Sequence, residues 1–113
     1  MSVEKLQTAV ISFFENIEKY YGSKTEINES LYVQKDNSDA SDATWNLLEF
    51  NIIRSAYRTK GDRLMLEGHQ VYYEISAEKL ISFKQIGRNV FEFIEKYGDS
   101  VYRITKIKFH YNY

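Results

Sequence analysis

The stretch FEFIEKYGDSVYRITKIKFHYNY, residues 91–113, decides the predicted fold because two different periodicities meet in it. Its first residues complete a series of apolar side chains spaced three and four apart, which is typical of an amphipathic helix. The series consists of Leu80, Phe83, Ile86, Val90, Ile94 and Tyr97. It predicts a second helix over about residues 77–97, which Gly98 would end in a left-handed conformation.

The second half of the stretch has the alternation of a β-strand. One face carries the side chains that we expect in the core, namely Val101, Thr105, Ile107, Phe109 and Tyr111. The other face carries Tyr102, Ile104, Lys106, Lys108, His110 and Asn112. This face is predicted to be exposed to solvent or to a partner.

The beginning of the chain repeats the motif, because FENIEKYYG at residues 14–22 is close to FEFIEKYG at residues 91–98. The first copy also closes an apolar series with helical spacing, namely Val3, Leu6, Val10, Phe13, Ile17 and Tyr20. This series predicts an N-terminal helix over about residues 2–21. The repeat leaves two interpretations open: a duplicated helix–strand unit, or two helix ends built from the same common residues.

Between the two predicted helices, the pattern indicates strands at residues 25–33 and 44–58. The segment between them, QKDNSDASDA, is small and polar, and it predicts a mobile loop at about 34–43. A turn that contains Gly61 then leads back into strand-like residues 63–75. These residues form either one strand with a bulge at Gly68 or a second hairpin.

Together these elements predict a single α+β domain over residues 1–113. We expect an antiparallel sheet of four to five strands, with the helices at about 2–21 and about 77–97 packed on one face. A chain of this length buries roughly two-thirds of its unfolded surface, so it needs no disulfide or metal to fold.

The amino-acid composition argues against several classes of function. The net charge is −1, so no overall field attracts nucleic acid or an acidic membrane. There is no Cys, which excludes thiol chemistry, and no run of apolar residues is long enough to cross a membrane. The N-terminal residues lack the apolar core of a signal peptide, so we expect a cytoplasmic protein without a membrane partner.

The residues that usually perform catalysis or bind metals are sparse. Asp36, Asp39 and Asp42 are spaced three apart, without the Gly and terminal Glu of a calcium loop. His69 and His110 are the only histidines, and neither belongs to a recognisable motif. The sequence contains no phosphate-binding loop or nucleophile motif either. We therefore expect no catalysis, no cofactor and no metal.

Aromatic residues are abundant, with ten Tyr, seven Phe and one Trp. Tyr and Arg are enriched where proteins bind one another. We therefore predict a small non-catalytic protein-binding domain, an inhibitor or immunity-type protein that neutralises a partner by surface complementarity. The predicted partner-binding residues are Arg54, Tyr57, Arg58, Tyr102 and Lys106.

Other functions remain open from the sequence. The first is a ligand-binding or enzymatic domain whose pocket between sheet and helices is lined by Trp45, Phe50 and Tyr73. The second is nucleic-acid binding through the basic hairpin at 54–63, which near-neutral net charge disfavours. A homodimer formed through the last strand is also left open.

Overall fold

The computed structural model describes residues 3–34, 41–58 and 61–111, and in them it shows one α-helix followed by a seven-stranded antiparallel sheet. The helix α1 spans Val3–Asn16 and continues as a 3₁₀ turn at Ile17–Tyr20. The strands are β1 Lys24–Val33, β2 Ser41–Arg58, β3 Arg63–Gly68, β4 Val71–Ser76, β5 Leu80–Gly87, β6 Val90–Tyr97 and β7 Val101–His110. Their order in the sheet is β4-β3-β2-β1-β7-β6-β5, so the first and last strands pair at its centre.

The N-terminal helix is confirmed, and its apolar series has the predicted role. Leu6, Val10, Phe13, Ile17 and Tyr20 are all buried against the sheet. The Phe13 ring lies 4.7 Å from the ring of Phe91 and 5.5 Å from that of Phe93, and Tyr20 stacks on Phe109 at 4.0 Å. Each buried ring of this kind stabilises the fold by about 1.5–3 kcal/mol, so this aromatic layer anchors the helix to β6 and β7.

The second predicted helix, at about 77–97, is wrong. These residues form a short 3₁₀ turn at Ala77–Lys79 and then the hairpin of β5 and β6. The chain reverses beside Asn89, whose φ of +60° no α-helix allows. Residues 91, 93 and 95 alternate as buried positions of a strand, and β6 pairs along its length with β7. The helical series contained Val90 and Ile94, which lie on the other side of β6, and it left out Phe91 and Phe93, which are buried. Pairing with the neighbouring strands decided in favour of the alternation.

The two copies of the repeat therefore have different structures. In the first copy Phe14 belongs to α1 and Tyr20 to the 3₁₀ turn, whereas the second copy lies in β6. A duplicated helix–strand unit is excluded by this difference. The first copy is helical because one of its sides packs on the sheet, and the second copy is extended because a neighbouring strand provides hydrogen bonds. Tertiary context thus overrides the local preference of nearly identical residues.

The predicted class, an α+β domain with four to five strands and two helices, is therefore corrected to a mostly β fold with seven strands. Residues 63–75 form the hairpin of β3 and β4, with Gln70 at a φ of +59° in the turn. Of the predicted loop at about 34–43, residues 35–40 lie outside the described residues. Ser41 already belongs to β2 and pairs with Val33.

The sheet is strongly curled towards the side that carries α1, which we call the concave face. The Tyr73 hydroxyl on β4 reaches Thr105 on β7 at 2.8 Å, although three strands separate β4 from β7 in the sheet order. The backbone N–H of Ser76 likewise donates to Glu95 on β6 at 3.0 Å. The helix covers one part of the concave face, and β4 closes over another part. The opposite side of the sheet is called the open face.

Candidate functional site

A cluster of polar side chains lies on the concave face where β4 closes over β1, β7 and β6. We call it the closure cluster, and its members are Glu29, Tyr73, Glu95, Tyr97, Arg103 and Thr105. The Arg103 guanidinium contacts Glu29 at 2.9 Å and Glu95 at 3.3 Å, and it donates to the backbone carbonyl of Glu74 at 3.0 Å. Arg103 therefore ties three strands and the edge strand β4 together.

The carboxyl groups of the closure cluster are fully engaged. Glu95 has no exposed surface and accepts hydrogen bonds from Ser76, Tyr97 and Arg103. Burial alone would raise the pKa of Glu29, but the hydrogen bond from Asn46 and the charge of Arg103 outweigh burial and lower the pKa below its ordinary 4.5. Burial and the hydrogen bond to Glu95 raise the pKa of Tyr97 to about 12. Groups that satisfy one another's hydrogen bonds in this way stabilise the curled sheet.

The open face differs in that it has apolar side chains exposed near its centre. Trp45 on β2 is 60% exposed and Leu47 is 48% exposed. The strand register places Trp45, Ser30, Ile104 and Ile94 side by side across β2, β1, β7 and β6. Ile94 and Ile104 are half-buried, and the polar Ser30 lies between Trp45 and Ile104. An exposed tryptophan and leucine beside further apolar side chains are typical of a binding surface.

Two tyrosines extend this patch towards one end of the strands. Tyr32 and Tyr102 are cross-strand partners on β1 and β7, and their rings stack at 5.0 Å with an angle of 12°. The Lys96 ammonium lies 5.7 Å from the Tyr102 ring centre. Stacked rings lose little freedom on binding, so they provide a preformed contact area. We call Trp45, Leu47, Ile94, Ile104, Tyr32 and Tyr102 the open-face patch.

Charged side chains around the open-face patch are unequally paired. Lys24 lies 3.5 Å from Glu49, Lys84 lies 3.6 Å from Glu92, and His110 lies 2.9 Å from Glu26. Lys106 and Lys108 form no ion pair with the residues that the structure describes. The patch thus has excess positive charge beside it, at the β7 side.

The five residues predicted to bind a partner are divided between the two faces. Tyr102 and Lys106 lie on the open face, as the alternation of β7 predicted. Arg54 and Arg58 lie on the same face further along β2, where Arg54 donates to both oxygens of Glu67 at 2.8 and 3.1 Å. Tyr57 points to the concave face and packs against the core, so it belongs to no common surface with the other four.

The side chains of the predicted ligand pocket do not come together. Trp45 is on the open face, Phe50 is in the core, and Tyr73 belongs to the closure cluster. Instead, several grooves border α1, and two of them differ in the charge of their lining. One, of about 280 Å³, is lined by Leu6, Val10, Tyr57, Asp62 and Glu78. The other, of about 330 Å³, lies between α1 and the β5–β6 hairpin.

The remaining candidate sites from the sequence are the basic hairpin and the aspartates of the predicted loop. In the basic hairpin, Arg54 pairs with Glu67 and Arg63 with Glu74, and Lys60 lies outside the described residues. Asp36 and Asp39 also lie outside them, as does the side chain of Asp42. Within the described ranges 3–34, 41–58 and 61–111, no three His, Asp or Glu side chains are grouped as metal ligands.

From the sequence, Trp45 was a pocket residue only in the alternative function, a ligand-binding or enzymatic domain. The sequence did carry a signal for its exposure. In β2 the even positions Leu48, Phe50 and Ile52 are apolar, and the odd positions Trp45 and Leu47 are apolar as well. When a strand is apolar on both faces and only one of them packs on the core, the other face leaves apolar side chains exposed.

Comparisons with protein-family models, curated proteins and solved structures find no match to this chain. In the part of the chain that the structure describes, no helix has the length and apolar character needed to span a membrane.

Proposed function

We propose that this protein is a non-catalytic protein-binding domain that acts in the cytoplasm and docks a partner on its open face. The observation that carries the proposal is the exposure of Trp45 at the edge of a preformed patch with Leu47, Ile104 and the stacked tyrosines. Trp and Tyr dominate the energy of protein interfaces when a partner excludes water from them. An inhibitor of immunity type, which blocks another protein by surface complementarity, is the function that we infer.

The chemistry of the partner follows from the charges around the patch. Lys96, Lys106 and Lys108 lie on the β6–β7 side of the open face, and the last two lack an ion-pair partner among the described residues. A partner surface with an apolar centre and carboxylates at its rim complements this arrangement. Such rim charges mainly accelerate association, so binding should be faster at low ionic strength.

The experiment is affinity capture from cells that produce the protein, with three baits in parallel. The native chain should retain one stoichiometric protein, and the double variant Trp45→Ala/Tyr102→Ala should lose it. The control bait is Ile11→Ala, because Ile11 is 45% exposed on α1, away from the sheet. Capture of no stoichiometric protein, or equal capture by the double variant, would contradict the proposal.

A further inference from the structure

The second groove beside α1 combines an aromatic floor with a cationic rim. Its floor is formed by the rings of Phe13, Phe83 and Phe91, which lie within 4.7–6.2 Å of one another. Lys19 on the 3₁₀ turn and Arg88 in the β5–β6 turn lie at its rim. Its volume of about 330 Å³ is at the lower end of the range for small-molecule sites.

The polar groups of this groove are donors or neutral amides. Besides the two cations, Ser12, Asn16, Gln85 and Asn89 line it, and no carboxylate is among the lining side chains that the structure describes. Asn89 is held in place because its amide oxygen accepts from the Tyr20 hydroxyl at 2.8 Å and its backbone carbonyl accepts from Phe109 N–H at 2.9 Å.

The groove on the other side of α1 has the opposite charge. Asp62 and Glu78 line it, and its described lining contains no Lys or Arg. The helix therefore separates a basic groove from an acidic one of similar volume, about 330 against 280 Å³. This asymmetry determines what each can hold, since a low-dielectric floor strengthens attraction to charges at the rim.

We propose that the basic groove binds a small organic anion that has a flat apolar body. The aromatic floor would hold the body by stacking and area burial, and Lys19 and Arg88 would bind the carboxylate, sulfonate or phosphate group. The site is independent of the open-face patch, because it lies on the concave face of the sheet.

The test uses two fluorescent probes that differ in charge. The anion is 1-anilinonaphthalene-8-sulfonate, and its uncharged counterpart is N-phenyl-1-naphthylamine. We expect the native chain to bind the anion in a saturable manner. The variant Lys19→Gln/Arg88→Gln should bind the anion about tenfold less tightly than the native chain, because charge-assisted hydrogen bonds are lost. Its affinity for the neutral probe should change less than about twofold.

Two further variants locate the probe. Ser12 is exposed on α1 and lines the groove, so Ser12→Phe should block both probes by filling it while leaving the thermal midpoint close to the native value. Asp62→Asn/Glu78→Gln, in the acidic groove, should leave binding unchanged. Absence of saturable binding, equal weakening of both probes by the cation variant, or loss of binding in Trp45→Ala would overturn the proposal. The last result would assign the probe to the open face.

Discussion

Arg103 and Glu95 lie opposite each other on β7 and β6, and their side chains meet at 3.3 Å on the concave face although Glu95 has no exposed surface. A buried carboxyl group in a small β protein needs a reason, because its desolvation is costly. Here Arg103 also contacts Glu29 on β1 and the backbone of β4, so the charged groups hold the curled sheet closed.

The first prediction concerns this closure. Arg103→Met should lower the free energy of unfolding by about 3–5 kcal/mol, because it leaves two largely buried carboxyl groups without their cation. Urea denaturation followed by circular dichroism measures the loss. The matched control is Arg54→Met, which removes a guanidinium from an exposed pair with Glu67 and should leave the denaturation midpoint near that of the native chain. Equal effects of the two substitutions would contradict a special role for Arg103.

The second prediction concerns acid stability. The pKa of Glu29 is lowered in the folded state, so its ionised form contributes stability above the unfolded-state value of 4.5. That contribution should disappear as the pH falls below 4.5 and through the folded-state pKa. Unfolding free energies between about pH 7 and pH 3 should therefore drop less steeply for Glu29→Gln than for the native chain. Parallel curves for the two proteins would show that Glu29 does not couple folding to pH.

The third prediction concerns Gly68, the last residue of β3. A Cβ atom at this position would lie 2.5 Å from the Phe50 ring and 2.9 Å from the carbonyl oxygen of Asn51. Gly68→Ala should therefore destabilise the fold by about 1–3 kcal/mol through overpacking. Gly87→Ala is the control, because a Cβ there would meet only Val90 at 3.6 Å. A Gly68→Ala protein that melts at the native temperature would mean that the hairpin shifts freely.

The N-terminal helix and the last strand were predictable because each has one apolar face with a single periodicity. The stretch from Leu80 to Tyr97 was not, since Phe83, Val90 and Ile94 fit a helix while Phe91 and Phe93 fit a strand. The choice depends on pairing with β7, which local sequence does not encode. The same holds for Glu95, which is buried among partners on other parts of the chain, Arg103 on β7 and the backbone of Ser76 on β4.

The candidate site was predicted in part, for a related reason. The alternation of β7 correctly placed Tyr102 and Lys106 on the face away from the core. Trp45 was misplaced because β2 is apolar on both sides and only the strand register shows which side the helix covers. Tyr57 was grouped with Arg54 and Arg58, although adjacent strand residues point to opposite faces.

The open-face proposal is tested most directly by the fluorescence of Trp45, the only tryptophan in the chain. At 60% exposure in the free protein, its emission should be readily quenched by acrylamide. In the saturated complex with the captured partner, quenching should fall by at least about half, with a blue shift of emission, because a hot-spot side chain is desolvated on binding. If the partner itself contains tryptophan, its own fluorescence is measured in the complex of the Trp45→Phe variant and subtracted. Unchanged quenching of Trp45 in the saturated complex would contradict the account.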